Sequence, residues 1–108
     1  MATESSFTWN GSVIRVKDLT VGEEEEVTAL MTRFSKEEQD AHTATIWSFS
    51  EFMASAEIEG EPPLQMVTAA SPQREIEAAL AAWRALPARL QRKWRQAVQA
   101  LEGDADPK

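Results

Sequence analysis

The sequence predicts a mainly α protein: a four-helix arrangement with a short N-terminal β-hairpin in front and a C-terminal helical hairpin at the end. Three observations carry that expectation. Apolar residues recur at helical spacing beyond Thr20, and capping side chains or prolines stand where those runs begin. The stretch from Phe7 to Leu19 departs from that period, being rich in β-branched and aromatic residues around an Asn-Gly pair.

Asn10-Gly11 is the dipeptide that best tolerates the positive φ angles of a tight hairpin turn. Its predicted arms, residues 7–9 and 13–16, are so short that the hairpin needs helices to lie against. Thr20 and Glu23 then form a capping box, and Glu23, Glu24, Glu25 and Glu26 put negative charge at the positive end of a helix dipole. Val27, Leu30, Met31 and Phe34 make one buried stripe, so the first helix is expected over residues 21–34.

Ser35 and Glu38 offer a second capping box, and the second helix is expected over residues 36–57. Ile46, Trp47, Phe49, Phe52, Met53 and Ala56 supply its wide apolar face. Thr43, Thr45, Ser48 and Ser50 weaken this helix, yet no strict alternation runs the whole stretch. Gly60-Glu61-Pro62-Pro63 stops any regular element, and residues 64–70 read as an apolar connection, extended or irregular.

Ser71-Pro72 opens the third helix, with the serine as cap and the proline where its missing amide costs nothing. Ile76, Ala79, Leu80 and Trp83 line one side of it. Leu86-Pro87 breaks the pattern, and the fourth helix follows with Leu90, Trp94, Val98 and Leu101 on its apolar face until Gly103 caps it. Residues 7–102 are expected to form a single domain, with 1–6 and 103–108 as disordered flanks.

A chain of 108 residues supports one core and not two. It contains no cysteine, which removes disulfides, thiolate nucleophiles and the commonest structural zinc sites. The first residues lack a secretion-signal pattern, and no run approaches the roughly 18 apolar residues of a membrane span, so a cytoplasmic protein without membrane contact is expected. The net charge of -7 is uneven: residues 1–61 carry 13 acidic and 4 basic side chains, and residues 62–108 carry 5 and 7. Such asymmetry steers a basic partner to the front half, or the front of one copy to the back of another; ordinary solvated faces would carry the same charges.

Catalytic readings find little. The one histidine, His42, has Glu38 a turn before it and Asp40 close by, but no serine or cysteine partner, and two ligands do not make a metal site. Consecutive glutamates on a helix point about 100° apart and cannot converge on one ion. The four glycines are scattered, so there is no phosphate loop. A non-enzymatic protein without cofactor or metal is expected. Arg89, Arg92, Lys93 and Arg95 make the last helix basic, the single feature open to a nucleic-acid reading, which the acidic remainder disfavours.

Trp47, Trp83 and Trp94 fall on apolar stripes and read as core, whereas Trp9 has too few neighbours in its hairpin to be enclosed. Tryptophan is also enriched at interfaces, which makes Trp9, Trp83, Leu90, Trp94 and Val98 the candidate partner-binding residues.

Taken in order, Phe7-x-Trp9-Asn10-Gly11, then Ile14-Arg15-Val16 leading into Leu19-Thr20 and an acidic helix, then Trp83-x-x-Leu86-Pro87-x-x-Leu90 with Trp94, resembles the small tail assembly chaperones of long-tailed bacteriophages. The resemblance is one of layout and spans most of the chain. It implies a mainly helical, self-associating protein that coats the tape measure protein in the host cytoplasm before the tail tube polymerises. Contact with the tail tube protein and absence from the finished virion go with it. It also implies a longer product of ribosomal slippage, and Asp106-Pro107-Lys108 is compatible with a slippery C-CCA-AAG run. A small phage structural or connector protein, and a helical nucleic-acid-binding regulator, are the alternatives.

Overall fold

The computed structural model describes residues 4–105, and the side chains of 5–101. The described chain is mostly helical, with one three-stranded antiparallel sheet and five helices. It divides into two compact units. A sheet unit takes the residues up to Asp18, Ser55–Pro63 and the chain from Leu86 onward; a helical unit takes Leu19–Ala54 and Leu64–Ala85.

In the sheet unit, β1 (Glu4–Trp9) and β2 (Ser12–Lys17) form the expected hairpin. Asn10 and Gly11 both take positive φ, 48° and 84°, as a two-residue turn of matching twist requires. The first strand begins at Glu4, earlier than expected, and pairs in full register from Glu4 opposite Lys17 to Trp9 opposite Ser12. Residues 1–3 and 106–108, which fall in the expected disordered flanks, lie outside the described residues.

The third strand was not expected. β3 (Ala56–Glu59) pairs antiparallel with β2, Ile58 opposite Ile14, and gives the order β1-β2-β3. Alternation puts Ser12, Ile14 and Val16 inside, while Arg15 on the other face pairs with Glu59. Gly60 follows at φ 105°, close against Ser12, whose hydroxyl donates to the Glu61 carbonyl at 2.7 Å. The last helix, α5 in chain order, spans Ala88–Ala105 and packs on β1 and β2 with Leu90, Trp94, Ala97 and Leu101 buried. It runs through Gly103, where a cap was expected.

The helical unit begins with α1 (Val21–Met31), whose capping box is formed: the Thr20 amide donates to Glu23 Oε1 at 2.9 Å and the Glu23 amide to Thr20 Oγ1 at 3.2 Å. The expected single second helix is three elements. α2 (Lys36–Ala41) stops at His42, α3 (Thr43–Ser55) restarts at once, and the stretch ends in β3. At the break His42 leaves helical geometry at φ -133° and ψ 40°, and the Thr43 hydroxyl donates to the Gln39 carbonyl at 2.6 Å, the acceptor a continuing helix would offer to the Thr43 amide.

α4 (Gln73–Ala85) buries Ile76, Ala79, Leu80 and Trp83 as expected. Its start differs by one residue: the Pro72 carbonyl accepts from the Ile76 amide, and the Ser71 hydroxyl accepts from the Thr68 amide instead of capping the helix. The core of this unit is aromatic. Trp83 is wholly buried against Phe52, with centroids 4.8 Å apart, and edge-on to Phe49 at 6.4 Å, and Phe49 meets Phe34 at 6.2 Å.

Candidate partner-binding site

The tryptophan expectations reverse at both ends. Trp9, read as too bare to be enclosed, is buried, and the Arg89 guanidinium lies 5.1 Å over its ring. Such a cation over an indole face is an electrostatic as well as a packing contact. Trp47, read as core, is 48 % exposed. The helical wheel explains the second case: Trp47 lies about 160° round α3 from buried Phe49.

The other candidate residues are placed as follows. Trp83 is buried in the helical unit, and Leu90 and Trp94 in the sheet unit, so their contacts here are with their own chain. Val98 is half-buried. Ala97 takes the inward place that the sequence reading gave to Val98, because seven residues from Leu90 returns to within about 20° of its face and eight overshoots by about 80°. The charge-bearing candidates do not gather into a metal or catalytic cluster among the described residues. Glu38 accepts from the Ser35 hydroxyl, His42 closes α2, and no group of three potential metal ligands occurs among the described residues.

An open slot in the helical unit, about 290 Å³ in volume, gathers what the sequence reading left dispersed. Leu30 of α1, Met53 and Ala54 of α3, and Val67 of the connection form its apolar walls. Glu23 and Glu26 stand at it, and among the described residues no basic side chain lines it. The capping box fixes how α1 starts, and with it where these two carboxylates point. Glu23 spends one oxygen on the Thr20 amide, while Glu26 is exposed and in no ion pair among the described residues.

Two polar groups at the slot are poorly served. Ser50 lines it with its Oγ wholly withdrawn from water and without a hydrogen-bond partner among the described residues. Leaving such a group unmade costs about 1–3 kcal/mol. The Val67 amide finds only the Met53 sulfur, at 3.3 Å, a weak acceptor. Met53 is unbranched and polarizable, a side chain that adapts its shape to what it meets.

Compared with known proteins, the chain matches no family model, no curated protein and no solved structure. The site therefore rests on its own geometry.

Arg33, which the sequence reading passed over, holds the slot's far wall. Its Nη1 donates to the carbonyls of Ala69 at 2.5 Å and Ser71 at 2.9 Å, and its own carbonyl accepts from the Gln73 side chain at 2.9 Å. An arginine fork suits such double duty. No local pattern marks it, because its partners lie 36 to 40 residues away. Finally, Trp47 and Ala54 are seven residues apart on α3 and so point the same way within about 20°. The exposed indole thus continues the line of the slot along that helix.

Proposed function

We propose that the chain works by binding a helical segment of another protein, as a tail assembly chaperone that covers the tape measure protein of a long-tailed bacteriophage in the host cytoplasm. The observation that carries the binding part is the exposed Trp47 in line with an open apolar slot on α3. About half of this large indole is left uncovered by its own chain, and an amphipathic partner helix laid along α3 would cover the rest and fill the slot. The phage assignment rests on the layout resemblance. A tape measure is a long helix whose apolar stripe aggregates unless covered, and many small acidic proteins on it would keep the assembly soluble.

In this reading Trp47 and the slot make the first contact. Val98 on α5 is a secondary one, and Trp9, Trp83, Leu90 and Trp94 support the surfaces from inside. Self-association and contact with the tail tube protein belong to the same proposal, as does absence from the mature virion. Co-expression with the tape measure protein of the same phage tests it. Soluble co-purification that drops on Trp47→Ala is the expected result; an insoluble tape measure in both cases, or abundant peptides of this chain in purified virions, overturns it. The virion result would instead favour a structural or connector protein.

A nucleic-acid reading has one observation in its favour, the exposed Arg92, Lys93 and Arg95 on α5. Arg89 is engaged with Trp9. Gel shifts at moderate salt that vanish when these cations are neutralised would move the assignment there.

A further inference from the structure

The slot differs from a plain apolar groove in its charge and in its one stranded hydroxyl. Its walls are hydrocarbon and thioether, its ionised groups are Glu23 and Glu26, and the two neighbouring glutamates of α1 add to the same negative field. A leucine or valine entering it would bury area but meet nothing that answers the Glu26 carboxylate or Ser50. At about 290 Å³ it lies at the small end for a metabolite pocket and has room for a long side chain.

We infer that the slot receives one cationic side chain on an apolar stem, a lysine or arginine of the bound partner segment, with its stem along Leu30, Met53 and Val67. The stem satisfies the walls by area, and the charged head, which carries several N–H donors, turns toward the Glu26 carboxylate. Its N–H donors also offer Ser50 Oγ the partner it lacks. Met53 adapts to the occupant and Arg33 keeps the wall from following it. The partner helix that this implies is apolar on one face with a basic residue on that face's edge, and specificity comes from rejecting an acidic residue at the same place.

The inference rests on the partner-binding reading, and small probes keep the two separable. In a methyl and amide NMR titration of the full chain, hexylammonium should give saturable shifts at Leu30, Met53 and Val67. Hexanoate, of equal length and opposite charge, should give none there. Glu26→Gln should weaken the hexylammonium response about two- to fivefold, the range a partly solvated ion pair supports. Ser50→Ala should weaken it about two- to tenfold while the melting temperature holds or rises, since an unmade hydrogen bond is removed from the free protein. Equal response to both probes would make the slot a plain apolar groove, and no response to either would remove it as a site. Either result overturns this inference and leaves the Trp47 co-expression test standing.

Discussion

The sheet unit takes two tryptophans, Trp9 and Trp94, out of water with three short strands and one helix. The helical unit has four helices and more phenylalanine, yet it takes in Trp83 and leaves Trp47 half in solvent. The difference lies in closure. Alternating strands put every second residue on one face, and α5 covers that face with Leu90, Trp94, Ala97 and Leu101 at a proper helical period. α3 presents buried residues over much of its circumference, from Ile46 through Ser48, Phe49 and Ser50 to Phe52, and Trp47 falls outside that arc. One unit is finished by its own residues, and the other keeps an apolar edge with a slot beside it.

The sharpest way to break this contrast is to remove the centre of the helical unit. Trp83→Ala empties the place between Phe49 and Phe52 and is expected to cost about 3–5 kcal/mol in chemical denaturation. A loss under about 1 kcal/mol would mean that the aromatic cluster does not hold this unit. In the sheet unit the comparable weak point is backbone. A Cβ at Gly60 would lie 2.8 Å from Ser12 Oγ and 3.3 Å from Ser12 Cα, at a φ that side chains rarely adopt, so Gly60→Ala is expected to cost about 1–3 kcal/mol. Gly11→Ala, at positive φ but with open space around it, should cost less, and denaturation of the pair side by side measures the clash alone.

A smaller effect is expected at the start of α1. Thr20→Ala removes the capping hydroxyl and should cost about 1 kcal/mol, and by loosening the first turn it should also blunt the hexylammonium response through Glu23 and Glu26. An unchanged response would detach the cap from the slot. A small stability change is expected at the half-exposed indole: Trp47→Ala should cost about 1 kcal/mol in thermal unfolding, far below the loss at Trp83. A large loss there would show that the indole serves the fold, and the contrast between the units would go with it.

Much of this architecture was legible where the signal is local. Asn10-Gly11 marks the hairpin, Thr20 with Glu23 marks α1, and Ile76, Ala79, Leu80 and Trp83 mark the buried side of α4. What escaped depends on partners far along the chain. Ala56-Glu57-Ile58-Glu59 is four residues with two glutamates and an alanine, all better suited to a helix, and only pairing with β2 some forty residues earlier makes it a strand. The break at His42 carries neither glycine nor proline, the residues that would have marked it in the sequence. The slot was invisible for the same reason as β3, since it unites α1, α3 and the connection before α4. Its glutamates were noticed as a run of charge and its Met53 as core, and nothing in the sequence says that they meet.

The two units are interleaved along the chain, with β1 and β2 made first, β3 after α3, and α5 last. During synthesis every residue of the helical unit has left the ribosome once Ala85 is out, before α5, the helix that packs on β1 and β2, exists. Until then the hairpin is a newborn edge with Trp9, Ile14 and Val16 uncovered, the condition in which nascent chains gather chaperones or one another. A stop codon just before Leu86 would therefore spare the complete sequence of one unit and orphan the other.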